Sequence, residues 1–295
     1  MREQFGLSAN RLLAEDPRTA VLLADISLGL FADALEAEPR RVVNVGIMEQ
    51  ALIGVAAGFA MEGFRPIATT IAPFLVERPL EQIKLDLGLQ GLPATLVSNG
   101  ASYDYATEGT THHAPGDVQA LLSIPGVEVH VPGAGPEVDV LLRHAHGRDA
   151  VSYLRTSEAA NGTARDVRPG RLEVVRRGGP AAPVVIAVGP MLDRTLAATG
   201  DRDATVLYAT TIAPFAAGTL RGLVPPAGLV VAVEPFHEGT LAFTLTEALR
   251  DRPTRIVEIG VPRALVRGYG SREDLDASLG LDAAGLRRRL EPYLH

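Results

Sequence analysis

The chain has 295 residues, 46% hydrophobic and 21% charged, with 30 glycines spread along it. That is room for roughly two domains of ordinary α/β composition. A formal charge of −7, with Lys84 the only lysine, argues against nucleic acid as a partner, because neutralising phosphates needs a basic face. No cysteine is present, which excludes disulfides, thiolate nucleophiles and Cys-ligated zinc together. Met1 to Phe5 lead into no apolar run of the signal-peptide kind, and no stretch reaches the ~18 apolar residues of a membrane helix. A cytoplasmic protein is expected.

Short apolar runs alternate with longer helical patterns, the signature of parallel α/β units. In the first half, strands are expected at Val21–Ala24, Arg41–Val45, Pro66–Thr70, Ala94–Ser98, Val127–Val131 and Val151–Leu154. Helices are expected at Met48–Glu62, Phe74–Gly88, Gly116–Ser123 and Pro136–His146. Past Arg155 the periodicity fails, and the Gly, Pro, Ala and Arg of 156–182 predict a domain boundary. A second set follows, with strands near Val184–Val188, Ala204–Tyr208, Leu229–Val233 and Arg255–Ile259. Its helices fall near Met191–Thr199, Thr240–Arg250 and Asp282–Leu294. The expectation is two three-layer α/β/α domains, 1–160 and 183–295, joined by a linker at 161–182.

Open parallel sheets bind ligands outside the carboxyl ends of their strands, so the residues just after each strand are the place to look. Asp25 and Ser27 follow the first strand, Gly46 to Glu49 the second, Asn99 to His113 the fourth and Arg155 the last. Glu49 opens a helix whose small residues Ala51, Gly54, Ala56, Ala57 and Gly58 are read as its inner side. By spacing alone it is either a carboxylate stabilised by the helix N-terminus or a functional acid. The loop Ser98–Pro115, long for a compact domain, holds Asn99, Tyr103, Asp104, Tyr105, Glu108, His112 and His113. It is either a solvated loop whose histidines cap the next helix or part of a site. Adjacent histidines splay apart and no further ligands stand at the usual spacing, so this loop does not read as a metal site. Gly133-Ala134-Gly135 lacks the third glycine of a dinucleotide fingerprint, and Ser123, Ser152 and Ser157 lack a hydrolase elbow.

Together these segments resemble the thiamine-diphosphate-dependent transketolase family across nearly the whole chain. Asn44-Val45-Gly46-Ile47-Met48-Glu49-Gln50 resembles its Asn-x-Gly-x-x-Glu segment, whose glutamate meets the cofactor's aminopyrimidine. Phe74 matches the aromatic residue that stacks on that ring, and Met48 and Ile71 are expected beside it. Glu108-Gly109-Thr110-Thr111-His112-His113 resembles the acidic-Gly-x-Thr-His-Gln loop that touches substrate. Val231-Ala232-Val233-Glu234 with His237, and Ile259-Gly260-Val261-Pro262, resemble the C-terminal domain.

The resemblance implies that Glu49 shares a proton with N1′ of the pyrimidine and that the cofactor acts as electron sink. A two-carbon unit would pass from a ketose to an aldehyde, with His112 and Glu108 serving the substrate hydroxyls and their protons. Asp25, Asn99 and His113 are expected at the substrate, and Arg155 matches an arginine that binds sugar phosphate. The Gly-Asp-Gly…Asn motif that holds Mg²⁺ and the diphosphate is missing, since Gly116-Asp117-Val118 and Gly200-Asp201-Arg202 lack the second glycine. A diphosphate-binding partner subunit is therefore expected to share the thiamine diphosphate and carry most of the Mg²⁺ contacts, in a hetero-oligomer, expected to be a heterotetramer.

The departures bear on substrate. Glu108 stands for aspartate, His113 for glutamine, Asn99 or Gly100 for a histidine and Gly29 for a phosphate-binding serine. They predict an altered, unphosphorylated or specialised acceptor. The beta subunit of a 2-oxo-acid dehydrogenase, which His112-His113 also suits, and an inactive scaffold subunit are the rival readings.

Overall fold

A computed structural model describes residues 1–294. Strands β1 (Thr19–Leu23), β2 (Val42–Asn44), β3 (Arg65–Thr70), β4 (Ala94–Asn99), β5 (Glu128–His130) and β6 (Val151–Thr156) form a parallel sheet. In the second half lie β7 (Leu172–Arg176), β8 (Val184–Val188), β9 (Thr205–Ala209), β10 (Thr211–Ala213), β11 (Leu229–His237) and β12 (Arg255–Val261). The first sheet has the order β10-β5-β6-β4-β3-β1-β2 and the second β12-β11-β8-β9-β7, with only β10 and β7 antiparallel among the described residues.

Inner strands such as β1 and β8 are buried on both faces, which is why they read as continuous apolar runs. On β1, Leu22 packs into one core with Leu52 and Ile53, while Val21 and Leu23 point oppositely toward Phe5, Leu141 and Leu142. Helices therefore cover both sides, and the expected α/β/α layering is present.

Several elements differ from expectation. Helix Arg2–Glu15 buries Phe5, Leu12 and Leu13, and Phe5 meets Phe31 edge to face at 5.8 Å. The segment expected to link the domains contributes β7 as an edge of the second sheet. From the second half, β10 crosses back to pair with β5, tying the two halves by backbone hydrogen bonds. The helix expected over Phe74–Gly88 is broken into a wide turn at Pro73–Glu77, one turn at Leu80–Gln82 and a second wide segment, Ile83–Leu89. Pro79 lacks the N–H that an uninterrupted helix would need there. No helix among the described residues is long and apolar enough to cross a membrane.

Candidate active site

The carboxyl ends of β2, β1, β3 and β4, neighbours in the sheet, carry Glu49, Asp25, Phe74 and the 99–113 loop on one rim. Asn44, the last residue of β2, accepts from the backbone N–H of Asp25 (2.9 Å) and of Gly46 (3.1 Å), and its amide donates to Asp25 Oδ1. Asp25 and Gly46 have φ of 59° and 75°, so this clasp turns the chain sharply before the helix. Asp25 is thus engaged in bracing the turn, with its side of the rim open to solvent.

Glu49 is the first residue of helix Glu49–Met61 and is 4% exposed. Its Oε1 accepts from Arg78 Nη1 at 2.7 Å, and the Arg78 guanidinium lies 4.0 Å from the Phe74 ring centroid. The Phe74 ring also meets His112 edge-on at 5.0 Å, and Tyr105 lies 6.2 Å from His112. Glu49, Phe74 and His112, far apart in sequence, are therefore brought together, with Arg78 as the connection that sequence reading missed. The i, i+4 spacing of Phe74 and Arg78 was the available signal. Ile71 is buried and its carbonyl accepts from the Phe74 N–H, fixing the start of that turn, while Met48 is exposed at the N-cap of the Glu49 helix.

Asn99 is fully buried. Its Nδ2 donates to Ser27 Oγ (3.1 Å) and Thr69 Oγ1 (2.7 Å), while Oδ1 has no partner among the described residues. Glu108 is exposed at the head of the short turn Gly109–His112. His113 departs from expectation. It is buried against Tyr103, and with Glu77, Thr110, His237 and Arg263 it lines an interdomain cleft of about 560 Å³ that includes neither Glu49 nor Phe74. Burial lowers its pKa, and neither ring nitrogen has a hydrogen-bond partner among the described residues. The two histidines face apart.

Arg155 is placed differently from the open rim position expected of it. It is 1% exposed, with Nε donating to Asp117 Oδ2 (2.8 Å) and Nη2 to Ser102 Oγ (2.9 Å). Tyr153 donates to the same Asp117 oxygen, and Ser102 donates to the Pro235 carbonyl of β11. Arg155 is a buried staple between domains, with its guanidinium engaged by Asp117 and Ser102. Tyr103, which donates to Asp276 (2.6 Å), and the Asp104–Arg272 ion pair dock the same loop on the second domain. The loop is therefore largely anchored, not solvated. In that domain Glu234 is fully buried and accepts from the backbone N–H of Thr240 and Leu241, with burial raising its pKa.

The helix that begins at Glu49 is also turned the other way from expectation. Ala56 and Ala57 are buried, but Ala51, Gly54 and Gly58 are exposed, as are Ile47, Met48 and Met61. Ile47, Ala51, Gly54, Gly58 and Met61 follow at intervals of four and three, one stripe of small and apolar side chains facing outward. Nothing lies within 4 Å of where a Cβ on Gly58 would be. Glu49 thus sits at the edge of an open, uncovered face.

As for the pyrimidine end of thiamine diphosphate, the donor set fits. A buried carboxylate at a helix start stands beside an aromatic ring, and Arg78 would have to give up its place on both.

Residues 1–162 match the family described as "Transketolase, pyrimidine binding domain". The chain is 44% identical, over 98% of its length and 93% of the relative's, to an "Uncharacterized 33.6 kDa protein in fasciation locus" of Rhodococcoides fascians. It is 29% identical to a 1-deoxy-D-xylulose-5-phosphate synthase of Chlorobium luteolum, covering 99% of this chain and 48% of that protein. It spans about half of that synthase. Among solved structures, one described as "Split gene transketolase, inactive beta4 tetramer" superposes with a TM-score of 0.85 at 27% identity, over 99% of this chain and 97% of the other. Transketolase from Leishmania mexicana, at 17% identity and TM-score 0.82, shares the fold over 99% of this chain and 45% of its own. The chain belongs to the transketolase family, of which it carries the pyrimidine-binding domain and the domain that follows it.

Proposed function

We propose that this chain is the pyrimidine-binding subunit of a two-chain, thiamine-diphosphate-dependent transketolase, moving a two-carbon ketol unit from a ketose to an aldehyde acceptor. The observation that carries this reading is the group Glu49, Phe74 and His112 on an open face, edged by an outward stripe of small residues. When bound, the cofactor would supply the nucleophile and the electron sink. Glu49 would hold the proton at N1′, and burial at a helix start suits a carboxylate that must bind one group without water between. Phe74 would present its ring to the pyrimidine, with Met48 and Ile71 at its margin. His112 would exchange protons with substrate hydroxyls, assisted by Glu108. Asp25 and the free Oδ1 of Asn99 are the remaining polar groups for substrate on this rim.

Glu49 would be idle until a partner covers the stripe and brings the diphosphate and Mg²⁺ site. The inactive beta4 tetramer of the split-gene relative supports that dependence. A second reading has specific support. The likeness to 1-deoxy-D-xylulose-5-phosphate synthases covers nearly the whole chain, so formation of that product is the principal alternative reaction.

The test is co-expression with a neighbouring gene product of about 250–300 residues carrying Gly-Asp-Gly, a length typical of such a domain pair. The reconstituted pair is assayed with hydroxypyruvate plus aldoses, for 1-deoxy-D-xylulose 5-phosphate formation, and with branched 2-oxo acids. Ketol transfer confined to the pair supports the proposal. Turnover only in the second or third assay replaces it, and full activity of a Glu49→Ala pair would leave this chain a scaffold.

A further inference from the structure

A cluster of ligand-type side chains lies away from the catalytic rim. Glu128 and His130 are two apart on β5 and so point to the same face. Helix Gly135–His146 returns across that face and brings His144, in its last turn, beside them. Glu128 Oε2 lies 3.6 Å from His130 Nε2 and 3.9 Å from His144 Nε2, and one donor atom from each of the three falls within 4.8 Å of the others. Those separations exceed a hydrogen bond. The two distances to Glu128 Oε2 lie within about half an ångström of the roughly 3.3 Å between two ligands bound at ~2.0–2.1 Å to a tetrahedral Zn²⁺, and drawing the two imidazoles together completes the geometry.

The surroundings orient each donor inward. Glu128 Oε1 is taken by Arg148, whose Nε and Nη2 both lie 2.8 Å away, which turns Oε2 toward the histidines. His130 is fully buried, and its Nδ1 lies 3.2 Å from Thr211 Oγ1 on β10. That hydroxyl oxygen can accept from a proton on Nδ1 of His130, the tautomer that leaves the Nε2 lone pair free for a metal. Both Glu128 Oε2 and His130 Nε2 are buried with no hydrogen-bond partner among the described residues. Two buried polar atoms aimed at one point are costly unless something lies between them.

We propose that Glu128, His130 and His144 form a binding site for a divalent transition metal of the Zn²⁺ class, with water in the fourth position. Two imidazoles and one carboxylate select Zn²⁺ over Mg²⁺, which takes oxygen ligands in octahedral geometry. The site would join strand β5 to helix Gly135–His146, beside the β5–β10 pairing and away from the thiamine chemistry.

The test uses the full chain without an affinity tag, titrated with Zn²⁺ by calorimetry and with Co²⁺ by visible absorption. One saturable Zn²⁺ site per chain, tetrahedral Co²⁺ bands and a rise in melting temperature are expected, with Mg²⁺ giving none of these. His144→Ala removes a half-exposed ligand and should fold normally while weakening Zn²⁺ at least about ten-fold, as should Glu128→Gln. Absence of saturable binding would overturn the proposal. So would binding that both variants leave unchanged, which would place the ion on other histidines.

Discussion

Arg78 satisfies Glu49: its Nη1 stands 2.7 Å from the carboxylate while the same guanidinium covers the Phe74 ring at 4.0 Å. One side chain thus occupies both groups that a pyrimidine would need. Arg78 is nearly half exposed, so it can swing into water at little cost, whereas Glu49 is held by its helix.

That asymmetry separates stability from catalysis. Glu49→Gln should change the unfolding free energy of the isolated chain by less than about 1 kcal/mol, because the partner it loses is well solvated. In the reconstituted complex the same substitution should lower kcat by about 10²–10⁴-fold, the usual range for a positioned proton-transfer group. Urea unfolding and steady-state turnover on one preparation check both halves. A variant that unfolds and loses activity in parallel would make Glu49 merely structural.

What sequence could and could not reveal follows from how local each feature is. The parallel strands were legible because burial on both faces writes a continuous apolar run, as in Val184–Val188. Glu49 and His112 could be picked out because each lies in a segment that follows a strand, where topology gathers side chains, whereas Phe74 was picked out only by its resemblance to the transketolase segment. Arg155 was misread for a long-range reason: its partner Asp117 lies 38 residues away, and nothing near Arg155 signals that pairing. The two faces of helix Glu49–Met61 were hard to tell apart by residue size, since small alanines stand on both. Strands β7 and β10 were missed because short edge strands carry too little apolar pattern to stand out from a Gly- and Pro-rich segment.

The outward stripe makes its own prediction. A side chain at Gly58 has open space in the isolated chain and replaces a poor helix former, so Gly58→Leu should leave the melting temperature unchanged or raise it. In the complex the same side chain would hold two packed surfaces apart. Association with the diphosphate-binding subunit should weaken at least about ten-fold, measured by sedimentation or titration calorimetry. Undiminished affinity would move the interface elsewhere on the chain.

Arg155→Met tests the staple against the phosphate-binding role. Removing one partner of a buried ion pair leaves Asp117 charged and uncompensated, which costs about 3–5 kcal/mol. Urea midpoints should fall accordingly. For the fraction that still folds, the ratio of KM values for phosphorylated and unphosphorylated acceptors should match that of the parent. A selective loss toward phosphorylated acceptors, with stability intact, would restore Arg155 to the substrate.

His146 supplies a pH dependence whose sign can be worked out. It is buried, and Thr19 Oγ1, 3.0 Å from Nε2, already donates to the Leu12 carbonyl, so the ring must donate to it. That fixes the neutral tautomer, and burial first of all drives the pKa from 6.5 down to about 4 despite the opposing pull of Asp16. Between those pH values the unfolded chain takes up a proton that the folded chain refuses. Stability is therefore full above pH 6.5, declines as pH falls toward 4 and then levels off with respect to this group. At ~1.36 kcal/mol per pH unit, the window removes up to roughly 3 kcal/mol. Asp16, held at about 2 by Arg18, and Glu128, also at about 2, add losses only below the carboxylate range. His113 and His144, whose pKa values burial also lowers, contribute in the same direction, so the comparison must be with a variant. His146→Asn keeps a donor for Thr19 but has no proton to gain, and its stability between pH 6.5 and 4 should fall distinctly less steeply than the parent's. Equal slopes in urea titrations at pH 7, 6, 5 and 4.5 would show that His146 is already protonated in the folded chain.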